Sequence, residues 1–436
     1  MRLRALRVLL LAVAAAASQT PPRAAAQAAP DAGWPQWGGP TRDFKTAARG
    51  LAATWPASGP RQLWSRPLGD GYSAIVVDGG TLFTMYRPVK GLIASVVGKF
   101  TGDSSAPEVI VAMTAATGRT LWEHSYEAPF TGRMDMEYGP GPHSTPLVRG
   151  DQVYAVGVTG KAHALDRRTG KVVWARDLWG ELGGKVMGRG YSWSPIAYGE
   201  TVIFAVGGRG QALVALDRKD GSVKWKNHDF DLAPSSPLLI NVDGQDQLVV
   251  FHASGIAGVD PAGGGLNWNH PHETQYGLNI STPVWGEGNL LFCSSAYTGG
   301  SRMLRLAQSG GKTTVTELWY TNKMRLHIGN ALRLGGHVYG SSGDFGPAFV
   351  TAVDVATGKV AWQDRAFSKA SFVYADGKVV VVDEDGNLAL ATLSPKGMTV
   401  HSRADVLSTR AWTTPTLVGT KLYVRDRAEI KAFDLS

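Results

Sequence analysis

The chain has 436 residues, of which 44% are hydrophobic and 18% charged, so it can bury a core and wholesale disorder is excluded. Glycine accounts for 54 residues without a Gly-X-Y period, which indicates many tight turns and excludes a collagen-like fibre. The single cysteine, Cys293, excludes an intramolecular disulfide, a cysteine-based zinc site and an iron–sulfur cluster.

Residues 1–26 have the pattern of a secretory signal peptide. Three arginines precede the apolar stretch Val8–Ala17, and Ala24–Ala26 supplies small residues for cleavage. The apolar stretch is shorter than the roughly 20 residues that a membrane span requires. We therefore expect cleavage after Ala26, a mature chain without a membrane span, and a periplasmic or secreted location.

Removal of this segment changes the charge balance of the protein. Residues 1–26 contain four arginines and no acidic residue, so the mature chain keeps 40 basic and 36 acidic residues, and its net charge is +4 instead of +8. The remaining charges alternate in sign and form no basic stripe. We therefore expect no nucleic-acid partner.

One pattern recurs through the rest of the chain: an Asp or Thr, then a glycine, then a tryptophan eight positions after the first residue. Its five clearest copies span residues 112–122, 164–174, 215–225, 258–268 and 352–362. Weaker copies lead to Trp319 and to Val400, which stands where a tryptophan is expected. Lys431–Asp434 begins an eighth copy, and the missing partner is Gln62–Trp64 at the other end. The span 63–436 thus consists of eight units.

Each unit contains four short strand-like segments with alternating apolar residues. In the second unit we predict strands at Ser144–Val148, Gln152–Val158, Lys161–Leu165 and Val172–Arg176. Four antiparallel strands per unit of this length predict an all-β fold, an eight-bladed β-propeller over residues 63–436. An open ring would expose unpaired strand edges, so we expect the N-terminal strand around Trp64 to close the last blade beside Ile430–Leu435. Residues 27–62 would form a leader packing on the propeller.

The repeated residues suit structural roles. The aspartate can accept turn amide hydrogens, and the glycine can take a positive φ before the fourth strand. The tryptophan is large and flat enough to fill the gap between adjacent blades. The predicted docking residues are Trp64, Trp122, Trp174, Trp225, Trp268, Trp319 and Trp362.

The motif Asp-x-x-Thr-Gly-Lys-x-x-Trp resembles the tryptophan-docking motif of the pyrroloquinoline-quinone (PQQ) type β-propeller repeat family. Trp34–Asp43 also resembles the leader that precedes the propeller in secreted bacterial members. The resemblance covers about residues 34–436. It implies the propeller fold, but it does not imply the cofactor, because many members of the family do not bind PQQ.

The family resemblance leaves two functional classes open. Quinoprotein alcohol dehydrogenases hold PQQ and calcium in the axial funnel, typically under a bridge between adjacent cysteines, which this chain cannot form with Cys293 alone. BamB-like members are non-enzymatic envelope scaffolds, but BamB carries a lipid-acceptor cysteine that is lacking here. We expect a periplasmic or secreted scaffold or binding protein without a cofactor, whose partner is another envelope protein or a small ligand at the propeller face. A PQQ- and calcium-dependent dehydrogenase is the alternative.

Functional groups of a propeller usually lie where loops converge on the axis. Three connections are enlarged or rich in ionisable residues: an insertion near Arg87–Pro107, Glu127–Pro142 and Leu178–Gly190. Two further polar segments, residues 270–273 and 323–327, are expected on the same face. The resulting candidates for a polar funnel, possible contacts of a cofactor but with no catalytic role assigned, are Glu137, Arg189, His272, Glu273, Arg325 and His327.

Two segments resemble metal sites only weakly. His270, His272 and Glu273 have suitable ligand chemistry, but no further ligand can be assigned to them, so we predict no metal site. Residues 383–387 lack the order of a calcium loop and are expected to form a turn between strands. Cys293 is expected to be a buried residue within a strand.

Overall fold

The computed structural model describes residues 33–88, 107–130 and 134–436, and this part of the chain is built from β-strands alone. The strands of the first half are β1 (Arg61–Pro67), β2 (Val76–Asp78), β3 (Thr81–Tyr86), β4 (Glu108–Thr114), β5 (Thr120–Tyr126), β6 (Leu147–Arg149), β7 (Gln152–Val156), β8 (Lys161–Asp166), β9 (Val172–Asp177), β10 (Ile196–Tyr198), β11 (Thr201–Ala205), β12 (Leu213–Asp217), β13 (Val223–Asn227), β14 (Leu238–Val242), β15 (Gln245–His252), β16 (Gly255–Val259) and β17 (Leu266–Pro271). Those of the second half are β18 (Val284–Gly286), β19 (Leu290–Ser295), β20 (Gly300–Ser309), β21 (Lys312–Thr321), β22 (Leu326–Leu334), β23 (His337–Ser342), β24 (Phe349–Asp354), β25 (Val360–Asp364), β26 (Ser371–Ala375), β27 (Lys378–Val382), β28 (Asn387–Ser394), β29 (Gly397–Asp405), β30 (Thr416–Val418), β31 (Lys421–Arg425) and β32 (Glu429–Asp434).

These strands form eight four-stranded antiparallel sheets, which are the blades of an eight-bladed propeller. Blades 1 to 7 take four consecutive strands each, from β2–β5 to β26–β29. Blade 8 has the order β1-β32-β31-β30, so the N-terminal strand closes the ring. Trp64 pairs with Ala432 and Arg66 with Ile430. The predicted fold and its closure by both ends of the chain are confirmed.

A buried arginine reinforces the closure between blades 8 and 1. The side chain of Arg425 on β31 has no exposed surface. It donates hydrogen bonds to the carbonyl oxygens of Gly69 at 3.0 Å, Ser73 at 3.3 Å and Met85 at 2.6 Å. Burial lowers the pKa of Arg425 to about 10, which leaves the guanidinium protonated at neutral pH. One side chain of the last blade therefore satisfies three backbone acceptors of the first.

The repeated tryptophans fasten each blade to the next. Five of them donate their indole N–H to the backbone carbonyl that follows the Asp or Thr of the next blade's turn: Trp64 to Ala115, Trp122 to Arg167, Trp174 to Arg218, Trp225 to Pro261 and Trp319 to Val355, at 2.8 to 3.3 Å. Trp362 donates to the carbonyl of Ser394 at 2.8 Å. Trp268 differs, because it donates to the Gln247 side chain at 2.6 Å in its own blade. The next blade has the long β20–β21 hairpin in place of the Asp-Gly turn.

The glycine of each turn is required by this packing. Gly170 has a φ of +71°, and a Cβ atom there would lie 2.6 Å from the indole ring of Trp122. The turn is held by Asp166, whose carboxylate accepts hydrogen bonds from the Thr169 N–H at 2.7 Å and hydroxyl at 2.6 Å. These bonds lower the pKa of Asp166. The turn formed by Asp-x-x-Thr-Gly thus presents a flat backbone surface, called here the turn platform, on which the tryptophan of the neighbouring blade packs.

The leader packs along the face formed by the turns between the first and second strands of the blades. Trp34 pairs with Val77 of blade 1, and the Pro35 carbonyl accepts from the Val148 N–H of blade 2 at 2.7 Å. The Phe44 carbonyl accepts from the Tyr374 N–H of blade 7 at 3.0 Å, and Trp34, Phe44 and Trp55 are all buried. The leader therefore spans the ring and touches blades on several sides of it.

The first strand of blade 2 is shorter than the sequence analysis predicts, because it begins at Leu147 and not at Ser144. The preceding residues bond to the neighbouring blade. The Ser144 hydroxyl donates to the Trp193 carbonyl at 3.1 Å, and the Thr145 N–H donates to the Ser194 hydroxyl at 3.1 Å. The same contact recurs one blade further on, where Ser194, which also precedes a proline, donates its N–H to the Ser236 hydroxyl at 3.0 Å, so these Ser/Thr-Pro pairs link neighbouring blades.

The smaller predictions have mixed outcomes. Cys293 is fully buried in β19, and residues 383–386 form the turn between β27 and β28, with Asn387 the first residue of β28. Segment 1–26 and most of the insertion near Arg87–Pro107 lie outside the described residues.

Candidate functional site

The loops that enter the first strands converge on the propeller axis and enclose a cavity of about 190 Å³. It opens into a wider mouth of about 660 Å³, which also contacts loops between second and third strands, represented by Tyr297 and Phe345. Both kinds of loop therefore meet at one face, which we call the loop face. The inner cavity is lined mainly by Trp37, Tyr72, Tyr138, His143, Arg189, Tyr297, His327 and Trp412, with Asp135, small and aliphatic residues between them.

Aromatic rings dominate one wall of the cavity. Trp412 lies 5.5 Å from Tyr72 and 5.9 Å from Tyr138 between ring centroids. His143 stacks on Tyr72 at 5.8 Å with an interplanar angle of 16°. The Tyr72 hydroxyl donates to the Tyr138 carbonyl at 2.7 Å, which ties two connecting loops together. This wall offers flat apolar surfaces to a bound group.

Arg189 is the cation of the inner cavity. Its guanidinium lies 3.0 Å from Asp135, 3.6 Å from Glu137 and 4.6 Å from the ring centre of Tyr138. The arginine and the two acids are part-exposed, so this cluster presents both signs of charge at the mouth. Two of the predicted funnel residues, Glu137 and Arg189, thus form an ion pair there.

His327 lies next to Tyr297 in the lining of the same cavity. Its Nε2 atom is hydrogen-bonded to the Tyr297 hydroxyl, and the side chain is 9% exposed. Burial lowers the pKa of His327 to about 4. Burial likewise lowers the pKa of His143 to about 4. Both imidazoles are therefore neutral at pH 7 and act as hydrogen-bonding groups, not as charges.

The leader closes the inner end of the cavity. Trp37 lines the cavity and donates its indole N–H to the Thr282 hydroxyl of blade 5 at 2.8 Å. Nearby, the buried side chain of Arg42 donates to the Pro195 carbonyl at 3.1 Å. Since the leader lies on the face opposite the loops, the cavity is reached from the loop face.

The structure places the other three predicted residues outside this cavity. His272 is buried between blades 4 and 5, where its Nδ1 accepts from Arg302 at 2.8 Å and its Nε2 bonds the Ser295 hydroxyl at 3.1 Å. Arg325 pairs with Asp344 at 3.3 Å. Glu273 is exposed and lies outside the lining of the cavity and its mouth.

The segment around His270 contacts the guanidinium of Arg302. Arg302 contacts both His270, at 3.2 Å, and His272, and Glu317 lies 2.9 Å from His270. Within the described ranges, no group of three or more His, Cys, Asp and Glu residues has the arrangement of a metal centre.

The sequence analysis missed most of the aromatic wall, although a signal for it exists. The residue two positions before a Ser/Thr-Pro pair lines the cavity in five blades: His143, Ser192, Pro234, Ile280 and Trp412. The segment that enters the first strand has the same orientation in these five blades. The residue two positions before the Ser/Thr-Pro pair therefore faces the propeller axis in each of them. The predicted funnel residues were chosen for their ionisable side chains, and such side chains lie mainly in the outer parts of the loops.

A family model and a curated relative that match this chain carry the same description. A family model described as outer membrane protein assembly factor BamB matches residues 106–364 and 317–436. The outer membrane protein assembly factor BamB of Yersinia pestis is 25% identical over 308 residues, covering 65% of this chain and 72% of the relative. In the described parts of the chain, no helix has the length and hydropathy needed to cross a membrane.

Two solved structures share the fold. BamB from Moraxella catarrhalis has a TM-score of 0.59 at 17% identity, covering 86% of this chain and 100% of that one. Quinohemoprotein alcohol dehydrogenase from Comamonas testosteroni has a TM-score of 0.63 at 15% identity, covering 94% and 81%. At these identities the likeness concerns the propeller architecture alone.

Proposed function

Because this chain belongs to the PQQ-like β-propeller repeat family described as outer membrane protein assembly factor BamB, we propose that it is an envelope scaffold that binds a segment of another envelope protein at its loop face. Its curated relatives carry the same description, which supports an envelope location and a scaffold or binding role. The finer proposal is that the mature chain, cleaved after Ala26, works in the periplasm or outside the cell.

The observation that carries this proposal is the aromatic cluster at the mouth of the axial cavity. Tyr276 and Phe345 are 54% and 69% exposed, and each lies 5.2 Å from the ring of Tyr297. Exposed aromatic residues beside a concave, partly apolar pocket are typical of binding hot spots. The alternating charges of Lys185, Asp231 and Glu137 surround this cluster and would select the partner by electrostatic complementarity.

Site-specific photocrosslinking in intact cells tests this proposal. A photoreactive amino acid at Phe345 or at Tyr276 should give one discrete crosslinked product, since both side chains stand at the mouth. Leu266 and Val223 are matched control positions, because they are also exposed apolar residues, at 55% and 44%, but lie on the outer strands of blades 4 and 3. Equal crosslinking from the control positions, or none from the mouth, would contradict the proposal.

We further propose that the protein works without PQQ and calcium. PQQ is a tricarboxylate, whereas the inner cavity offers Arg189, which already pairs with Asp135 and Glu137. Calcium takes about six to eight oxygen ligands, and Asp135 is the carboxylate among the lining residues of the inner cavity. The residues present therefore do not fit the quinone with its metal, and we derive no reaction from it.

A thermal melt with both additives tests cofactor independence. PQQ with calcium should leave the melting temperature of the mature protein nearly unchanged. A ligand present at about 100 times its dissociation constant would stabilise the folded state by about 2.7 kcal/mol, a shift that is readily detected. A rise that requires both additives would favour the dehydrogenase alternative.

A further inference from the structure

The inner cavity of the loop face has the size of one aromatic ring. Its volume is about 190 Å³, and an engineered apolar cavity of about 150 Å³ binds benzene. The inner cavity therefore has room for one six-membered ring that carries a small substituent. The mouth of about 660 Å³, into which it opens, has room for the chain that bears this ring.

The wall of the inner cavity matches such a ring. Trp412 lies 5.5 Å from Tyr72 and 5.9 Å from Tyr138, and Trp37 of the leader covers the inner end. Aromatic pairs at centroid distances of about 4.5–7 Å stabilise one another beyond the effect of their buried area. A further ring would extend a cluster that already has this spacing.

The inner cavity carries little net charge at pH 7. Asp135 and Arg189 are the charged residues of its lining, and they lie 3.0 Å apart and neutralise each other. Burial lowers the pKa of His143 and His327 to about 4, so both imidazoles are uncharged. Since a charge without a free partner is costly to desolvate, a neutral side chain suits this cavity better than a carboxylate or an ammonium group.

Two hydroxyl groups at the inner end still have a hydrogen atom to donate. Ser194 and Ser236 are buried and line the cavity, and the Ser194 carbonyl accepts from Arg42 of the leader at 3.4 Å. The Ser194 hydroxyl accepts from the Thr145 N–H at 3.1 Å, and the Ser236 hydroxyl accepts from the Ser194 N–H at 3.0 Å. Among the described residues, neither hydroxyl has an acceptor for its own hydrogen. Because buried polar groups are nearly always paired, these serines favour an occupant with an oxygen atom at its inner tip.

We propose that the inner cavity binds the side chain of a tyrosine, which the partner segment inserts from the loop face. The ring packs against the aromatic wall, and the phenol oxygen accepts hydrogen bonds from Ser194 and Ser236. Phenylalanine offers no acceptor to these hydroxyls, and the indole of tryptophan carries only a donor. The inference rests on the proposed function, because it names the residue by which the partner segment is anchored.

Titration of the purified mature chain with N-acetyl-tyrosinamide, followed by saturation-transfer NMR, tests the cavity without the partner. We expect saturable binding that is about threefold to tenfold tighter than that of N-acetyl-phenylalaninamide, which is the range of one net hydrogen bond. Ser236→Ala should lower this preference about threefold and leave binding of the phenylalanine amide unchanged. Ser144→Ala is the matched control, because Ser144 makes a similar contact between blades, at 3.1 Å, but lies outside the cavity lining.

A second variant fills the cavity. Ile280 lines it, so Ile280→Trp should abolish binding of both amides, whereas Val223→Trp adds the same ring on the outer strand of blade 3 and should change nothing. Ser236→Ala keeps the test valid if Ile280→Trp fails to fold. Equal binding of the two amides by the wild-type protein, an unchanged preference in Ser236→Ala, or unchanged binding in a folded Ile280→Trp would overturn the proposal.

Crosslinking from Phe345 in cells separates this inference from the proposed function. Ile280→Trp should weaken the crosslinked product, and Val223→Trp should not. A product that is unchanged in Ile280→Trp would overturn the tyrosine anchor and leave the scaffold role in place. Selective binding of the tyrosine amide by the purified protein, with no crosslink from the mouth, would contradict the scaffold role and leave a cavity that binds phenols.

Discussion

At the scale of single residues, the turn glycines connect a local backbone conformation to the contact between blades. Gly170 and Gly377 share a φ of +71°. A Cβ at Gly170 would lie 2.6 Å from Trp122, whereas a Cβ at Gly377 would have no atom within 4 Å. The pair therefore separates backbone strain from steric exclusion of the docking tryptophan.

We expect Gly377→Ala to lower the free energy of unfolding by about 1–2 kcal/mol, which is the cost of a left-handed L-residue. Gly170→Ala should lower it by about 1–3 kcal/mol more, because overpacking displaces the Trp122 indole. Urea unfolding of both variants measures the difference. Equal losses would show that the turn platform adds nothing beyond backbone strain.

The site residues divide at this scale into those that sequence can reveal and those that it cannot. Glu137, Arg189 and His327 reach the cavity because they lie in or beside loops that enter a first strand. His272 follows β17 directly and is covered by Arg302, a contact between blades that no local pattern encodes. Trp412 could have been found from its place two residues before Thr414.

At the scale of elements, β1 has two roles, because it pairs with β32 and presents Trp64 to the first blade. Deletion of residues 27–69 should leave the edge of β32 unpaired and the turn platform at Gly118 uncovered. We therefore expect the deletion variant to melt far below the mature chain or to stay unfolded. A melting temperature equal to that of the mature chain would contradict the closure of the ring by β1.

A point substitution isolates the tryptophan from the strand. Trp64→Ala should lower the free energy of unfolding by up to about 3–5 kcal/mol, as large aromatic truncations do, with the lower end favoured because the ring is part-exposed. Val400→Ala is the control at the same repeat position in blade 7, where the side chain is 40% exposed and should matter little. Chemical denaturation of both variants provides the comparison.

The elements were largely predictable because one motif repeats. The Asp-to-Trp spacing gives the third and fourth strands of each blade, and the turn glycine fixes the hairpin between them. The first strands were less predictable, since Ser144 and Thr145 form their hydrogen bonds with blade 3 and not within their own sheet. The course of the leader across the far face depends on contacts such as Phe44 with Tyr374, which lie far apart in sequence.

At the scale of the whole molecule, four histidines with strongly lowered pKa values make the stability depend on pH in mild acid. Burial lowers the pKa of His143 and His327 to about 4 and that of His163 and His272 to about 3. The unfolded chain binds protons at these side chains below pH about 6.5, whereas the folded chain does not until the lower pKa is reached. Stability is therefore full above pH about 6.5 and falls as the pH drops toward 4.

We expect the free energy of unfolding to fall by up to about 1.4 kcal/mol per pH unit for each histidine across this range. His272→Gln should make the slope between pH 6.5 and 4 shallower, whatever it does to stability at pH 7. His401→Gln, on the exposed face of β29, should leave the slope as it is. Urea midpoints measured across this range give both slopes, and an unchanged slope in His272→Gln would refute the assignment.

The split blade also sets the order of events in folding. About 360 residues separate β1 from β32, so their pairing is a contact of very high sequence separation, which forms slowly. The strands of blades 1 to 7 are joined by hairpins, so these blades can assemble as the chain emerges. The pairing of β1 with β32 cannot form until Ile430 and Phe433 have been synthesised. Until then the incomplete ring of blades has an unpaired strand edge at each end. Trp37 and Thr282 meet only across the interior of the ring, so the leader gains its full set of contacts as the arc curves toward closure.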